Sequence, residues 1–501
     1  MSTLLCRARR AATGLGLLLA AVVAAAAPTP VPKPGTGGDA PAPVVPGEQK
    51  LRFGAFGEMT VYRPHGAVSS VALFVSGDGG WNLGVVDMAR HLLDQGALVV
   101  GIDIRSYLKS LNAPTTSCRN FAVDFEGLAH EVERRFRLPE YLPPMLIGYS
   151  SGATLVYAAA VESPKGTFAG AMSLGFCPDL QLTQAVCKGS GLTYDLDYGK
   201  VEAEAARAPK GVVFKEAPQN ATPWVAFQGE VDQVCDPPAT KAFVGRTGQA
   251  ELVWLPKVGH GFSVERNWLP QFQASYRALT TRAAPPKVSL PEVQDLPLTE
   301  VAAKGTPPPA LADSFAVLLT GDGGWAGLDQ DVAAALAARG VPVVGLNTLK
   351  YFWSARTPEA AAADLERIIR RFGAAWRRPR VLLVGYSFGA DVLPFLYTRL
   401  PAEVRASVRT VSLLGLSDSA SFEFHVSDWI PGAGADGRPT VPEIRRIEGA
   451  PVLCLYGAEE HDSPCPALAG PAVKSVALGG GHHFGGDYAS LAAQILAHAG
   501  G

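Results

Sequence analysis

The sequence carries little charge: 18% of its 501 residues are Asp, Glu, Lys or Arg, and 44 basic against 46 acidic residues leave a formal net charge of −2. Without a basic surplus it lacks the electrostatic footprint of a nucleic-acid binder. It has no Cys-x-x-Cys pair and no His-Glu-x-x-His, which removes the zinc-ribbon, dithiol-redox and helical zinc patterns. No Gly-Lys-Ser/Thr follows its glycine runs, so those runs do not read as phosphate cradles. Neither a metal nor a cofactor is expected. What the chain does have is 48% apolar residues, 54 Gly and 40 Pro. That is ample for more than one packed core, and it excludes a disordered or fibrous chain.

Arg7, Arg9 and Arg10 precede an uncharged run, Ala11–Ala27, that ends in small residues. A basic head, a short apolar middle and a small-residue end predict a secretory signal peptide over residues 1–27. The run is short and rich in Ala and Gly for a membrane span. A Pro-rich tether over 28–48 follows, and a second Pro-rich segment, 283–309, separates domains expected at 49–282 and 310–501.

Export places the cysteines in an oxidising compartment. Cys6 falls within the signal, leaving four in the first half (Cys118, Cys177, Cys187, Cys235) and two in the second (Cys454, Cys465). Even numbers in each half favour disulfides. The expected pairs are Cys454–Cys465, Cys177–Cys187 and Cys118–Cys235.

The two halves repeat one another. Ser76-Gly-Asp-Gly-Gly-Trp81 recurs as Thr320-Gly-Asp-Gly-Gly-Trp325, and Gly148-Tyr-Ser-Ser-Gly152 as Gly385-Tyr-Ser-Phe-Gly389. So long a period signals duplicated domains, not a solenoid. Apolar runs such as Val71–Ser76, Ala97–Ile102 and Met145–Tyr149, and Phe315–Thr320, Val341–Leu346 and Val381–Tyr386, alternate with amphipathic helical patterns. Each half therefore reads as an α/β domain, a mostly parallel sheet flanked by helices.

Gly-x-Ser-x-Gly between a strand and a helix places a serine on a sharp turn at the sheet edge, as in tandem α/β-hydrolase-like domains. A nucleophilic serine there requires an acid and then a histidine later in the chain. The second half offers Ser387, Asp462 and His482, with Glu459 or Glu460 as substitutes for the acid and His483 for the base. A second candidate set in the first half is Ser150, Asp232 and His260. Aligning Cys465 with Cys235 pairs Asp462 with Asp232. Backbone amides of the Asp322-Gly323 loop and of Phe388 are candidate oxyanion donors. Asp391, Glu459, Glu460 and Asp487 are candidate carboxylates toward a cationic substrate. Leu416–Arg446, with Phe422, Phe424, Trp429 and Ile430, reads equally as a cover over the site or a plain packed loop; the arginine-rich Arg367–Arg380 reads first as a helix end with favourable dipole interactions and second as a contact for anionic headgroups.

The Gly-Asp-Gly-Gly-Trp loop, Gly385-Tyr-Ser-Phe-Gly-Ala-Asp391-Val392-Leu-Pro394 and Gly480-Gly-His-His-Phe-Gly-Gly-Asp-Tyr488 resemble the AcvB/VirJ family of bacterial periplasmic proteins. The resemblance covers both halves and suggests the longer, AcvB-like form. It implies a periplasmic serine esterase that cleaves the lysyl ester of lysyl-phosphatidylglycerol, transient contact with a membrane surface, a link to virulence, and type IV secretion components as candidate partners. It also implies Ser387 as nucleophile, His482 as base and Asp462 as orienting acid. The first half departs from the pattern, with Ser151 after its serine and Thr154 in place of Asp391. A carboxylesterase or lipase for another acyl ester, or a non-catalytic assembly factor, are the alternative readings.

Overall fold

A computed structural model describes residues 48–115, 117–187, 191–199, 208–282, 288–424 and 437–500. The expected signal peptide, and all but the last residue of the tether, lie outside them.

The first half builds one eight-stranded sheet. Its strands are β1 (Gln49–Phe53), β2 (Gly57–Tyr62), β3 (Ser70–Val75), β4 (Ala97–Ile102), β5 (Met145–Tyr149), β6 (Gly170–Leu174), β7 (Trp224–Gly229) and β8 (Ala250–Leu255). Their order is β1-β2-β4-β3-β5-β6-β7-β8. The hairpin β1–β2 joins β4 antiparallel, and the remaining pairs are parallel. The second half repeats this with seven strands: β9 (Leu298–Val301), β10 (Ser314–Leu319), β11 (Val343–Leu346), β12 (Arg380–Tyr386), β13 (Val408–Leu414), β14 (Val452–Gly457) and β15 (Val473–Leu478). The order is β9-β11-β10-β12-β13-β14-β15, with only β9 antiparallel. In β3 and β10 every residue is buried, as a sheet covered on both faces requires.

Each repeated tryptophan has a structural partner. Trp81 lies against Gly101 of β4 and Trp325 against Gly345 of β11; a Cβ on either glycine would fall about 2 Å from the indole. The Gly-Asp-Gly-Gly-Trp loop is thereby clamped over the sheet edge beside the serine turn.

Two expectations are corrected, and one hairpin is added. The segment 283–309 is not a bare linker. β9 pairs with β11, and Val288, Val293, Leu296 and Leu298 are buried in the second core. The edge hairpin β1–β2 is not among the expected strands: β1 buries Leu51 alone, and β2 buries Met59–Tyr62 after a less buried start. The second correction concerns the disulfides. Cys454–Cys465 forms, but the first half pairs Cys118 with Cys187 and Cys177 with Cys235. Register explains this: an Arg119–Val186 bridge brings Cys118 beside Cys187, and Cys177 and Cys235 follow the adjacent parallel strands β6 and β7.

The halves meet along the helix Phe121–Arg135. Trp353 Nε1 donates to the Leu138 carbonyl (2.8 Å), and Arg134 donates to the Trp353 carbonyl and to Glu423 (2.8 Å). Tyr141, Leu349, Trp353 and Phe424 form one buried cluster across the joint. Phe424 is thus a joint residue, and Phe422 packs on Phe352 and Phe395. Trp429 and Ile430 of the candidate cover lie outside the described residues. The arginines for which headgroup contact is the lesser reading are engaged with carboxylates of the chain: Arg367 pairs with Asp295 and Asp364, Arg370 with Glu366 and Glu403, and Arg371 with Glu292.

Candidate active site

Both serine turns are strained in the way a strand-to-helix elbow demands. Ser150 has φ 55°, ψ −123° and Ser387 has φ 49°, ψ −120°. Such conformations cost a non-glycine residue about 1–3 kcal/mol. The flanking glycines permit the crossing: a Cβ on Gly385 would lie 2.4 Å from the Gly389 carbonyl oxygen, and one on Gly148 2.1 Å from that of Gly152.

In the second half, His482 Nε2 stands 2.9 Å from Ser387 Oγ, and its Nδ1 stands 2.5 Å from Glu460 Oε1. A carboxylate only accepts, so Nδ1 carries the ring proton and Nε2 accepts from the serine hydroxyl. Glu460 Oε2 accepts the Gly457 N–H at 2.6 Å, which fixes the carboxylate. Glu460, not Asp462, therefore holds the acid position. Asp462 is exposed and makes no hydrogen bond or ion pair among the described residues. The cysteine alignment misled because it counts from the wrong end of the loop. From the strand-end glycine, Asp232 and Glu460 are each the third residue on, after Gly229 and Gly457; the second loop is two residues longer between acid and cysteine. His483 Nδ1 meets Tyr386 Oη at 3.0 Å and not Ser387.

Carboxylates crowd this site. Burial raises Asp322, though the neighbouring His482 partly offsets it. Burial likewise pushes Asp391 up to about 8, although its Oδ1 accepts the Ser417 N–H at 2.7 Å. Asp391 is buried and ties down a loop, so it is not an open binding group. Asp329, missed in the sequence, is buried and accepts the Gly321 N–H, holding the loop beside Asp322. Glu126 comes from the first half: its Oε1 would lie 3.6 Å from a Cβ on Gly323, and burial followed by the Asp322 charge pushes it to about 8. No side chain donates to Asp322 or Glu126 among the described residues. Burial draws His482 down, but the Glu460 hydrogen bond and charge, with Asp322 and Asp391, leave it raised above its ordinary value. Of the other expected carboxylates, Asp487 caps the last helix through Ser490, and Glu459 is exposed near Gly481.

In the first half, His260 Nε2 is 3.0 Å from Ser150 Oγ and Nδ1 is 2.9 Å from Asp232 Oδ2. Asp232 Oδ1 accepts the Val234 and Cys235 amides. The three expected residues stand in one chain. Asp232, Cys235 and His260 also converge as a metal-ligand set would. Cys235 is disulfide-bonded to Cys177, however, so it has no thiolate to offer. Tyr149 and Tyr386, the residues before each serine, are anchors that sequence reasoning missed: their hydroxyls donate to the carbonyls of His260 (3.1 Å) and His482 (3.4 Å). Their repetition before both serines was the available signal.

Strand order, with the serine elbow following the strand beside β3 or β10, defines an α/β-hydrolase fold in each half. The chain belongs to the VirJ family of bacterial virulence proteins, whose family model matches residues 69–170 and 313–500. No curated protein matches it in sequence. Among solved structures it is similar to an α/β serine hydrolase homologue from Coxiella burnetii (18% identity, 48% of this chain and 97% of that one, TM-score 0.29). It is also similar to XC6422 from Xanthomonas campestris, titled an α/β serine hydrolase without a lid (20%, 50% and 100%, 0.30). A third is Est1E from Butyrivibrio proteoclasticus (12%, 47% and 99%, 0.32).

Proposed function

We propose that the second half is a serine esterase that removes the aminoacyl group from an aminoacylated phospholipid, lysyl-phosphatidylglycerol, on the periplasmic side of the membrane. The observation that carries this reading is the chain Ser387–His482–Glu460, set among the carboxylates Asp322, Asp391 and Glu126, with which no Lys or Arg pairs among the described residues. In that reading Ser387 Oγ attacks the ester carbonyl as His482 Nε2 takes its proton. The Phe388 N–H, first in its helix and without an intrahelical acceptor, is the donor for the developing oxyanion, whereas the Asp322 and Gly323 amides bond the Asp322 carboxylate. Such a donor is worth about 3–4 kcal/mol of transition-state stabilisation. His482 then protonates the departing glycerol oxygen, and water, activated by the same imidazole, releases lysine from Ser387.

The acidic surround supports an ammonium-bearing acyl group over a fatty one. Carboxylates that burial pushes up when the site is empty regain their charge when an ammonium arrives beside them. Three disulfides fit an oxidising compartment, and no described helix is long and apolar enough to cross a membrane. Incubation with vesicles containing lysyl-phosphatidylglycerol should release lysine and phosphatidylglycerol, and S387A should abolish the release. Intact lysyl-lipid alongside cleavage of an uncharged ester would instead make the protein a carboxylesterase for another substrate.

A further inference from the structure

We propose that the first half carries a second, independent esterase site at Ser150, with a preference for uncharged acyl esters. This goes beyond the reading above and stands whether or not Ser387 takes an aminoacyl lipid.

The geometry is complete. Ser150 occupies the same strained turn as Ser387, within a few degrees in both angles. His260 bonds both the hydroxyl and Asp232, and two backbone amides hold the carboxylate. Tyr149 holds the histidine loop, and the Cys177–Cys235 disulfide ties the acid loop to the end of β6. The Ser151 N–H is the first of its helix, and the Gly77 backbone passes so near that a Cβ there would lie 2.9 Å from that of Ser150. A decayed copy, freed of chemistry, has no physical reason to keep a serine in a costly conformation opposite an oriented imidazole.

The surroundings differ from the other site in how their carboxylates are paired. Asp78, the counterpart of Asp322, accepts from Ser151 Oγ at 2.6 Å. Phenylalanine replaces that serine in the second half, which leaves Asp322 without the donor. Thr154, the counterpart of Asp391, is uncharged and donates to the Cys177 carbonyl. Asp103 is neutralised by Arg105, whose guanidinium lies against Gly80. The acid loop carries Val231 and Val234, 54% and 66% exposed, where the second half has Glu459, His461 and Asp462. An apolar acyl chain suits this mouth; of the exposed carboxylates here, Asp78 is already bonded to Ser151, and Glu230 stands on the acid loop beside Val231.

The chemistry balances without a co-reactant beyond water. Ser150 Oγ bonds the acyl carbon while His260 takes the hydroxyl proton; the ester C–O bond breaks and the alkoxide leaves with that proton. Water then divides between the acyl group, released as the acid, and the regenerated serine.

The test uses the full chain in an S387A background. A fluorophosphonate should add once, at Ser150 with loss of fluoride, and S387A/S150A should gain no mass. S387A should hydrolyse p-nitrophenyl butyrate, and adding S150A or H260A should lower that rate at least 100-fold. Retention of all three disulfides and of the thermal midpoint shows that the variants are folded. An S387A protein that takes no adduct and turns over no faster than the double variant overturns the proposal. Equal turnover of cationic and uncharged esters by S387A overturns the assigned substrate class. Neither result bears on cleavage of the lysyl-lipid by the unaltered protein.

Discussion

A carboxylate one methylene longer than aspartate closes the hydrogen-bond chain at Ser387, and its reach lets the loop after β14 sit differently from its counterpart after β7. E460Q keeps the shape but loses the charge and one of two acceptor oxygens, so the Gly457 amide and the His482 Nδ1 proton compete for the one that remains. Its kcat/KM for ester cleavage should fall by about 10²–10⁴-fold, by analogy with acid-to-amide changes in other triads. D462N should stay within about twofold of the unaltered rate, and steady-state kinetics on one ester checks both. The pH profile gives a second reading. Glu460, Asp322 and Asp391 hold His482 above its ordinary value, and the base must be neutral to accept the proton. Activity should therefore rise with pH through a point above the ordinary histidine value, and the residual activity of E460Q should rise at lower pH. At this scale the sequence disclosed the serines and histidines, because a strand-to-helix turn and a rare residue type mark them. It left the second acid open among three candidates, because loop length between a strand end and a cysteine obeys no periodicity.

Strand ends do the positioning. Parallel strands bring the serine turn, the acid loop and the histidine loop to one sheet edge in each half. Buried strands such as β3, β5, β10 and β12 were legible because both faces are apolar. β1, β2 and β9 were not: antiparallel strands at or near an edge bury fewer residues, and β9 is hidden in proline-rich sequence. Cysteine partners were equally beyond the sequence, since pairing follows which strands are neighbours and not which cysteines are close in number. The Cys177–Cys235 bond spans the ends of two neighbouring strands and holds the loop whose amides fix Asp232. Its loop of 58 residues corresponds to about 4 kcal/mol of chain-entropy stabilisation. C177A/C235A should lower the thermal midpoint and slow fluorophosphonate labelling of Ser150 more than that of Ser387, as peptide mass mapping over time would reveal.

The joint between the halves gives the first one a part in the second one's selectivity. Glu126 lies on the same helix as Arg134, which grips Trp353 and Glu423, so the docking that buries Trp353 also presents a carboxylate to Gly323 and Asp322. In the Ser387 reading, an ammonium on the acyl chain is met by Asp322 from one half and Glu126 from the other. In an S150A background, a 6-aminohexanoyl ester and its uncharged hexanoyl counterpart isolate that contact. E126Q should raise KM for the amino ester about tenfold, roughly 1.4 kcal/mol, with kcat unchanged and the hexanoyl ester unaffected. Burial and the Asp322 charge put Glu126 at about 8 in the empty site. Its charge is thus gained as pH rises, while an alkylammonium with a pKa of about 10 keeps its own. KM for the amino ester should accordingly fall between about pH 7 and 9 in the S150A protein and stay flatter in E126Q. W353A, which opens the joint without touching either carboxylate, should raise the same KM and leave hexanoyl turnover in place. An E126Q enzyme that discriminates the two esters as sharply as its parent would place the ammonium elsewhere and reduce the first half to a support.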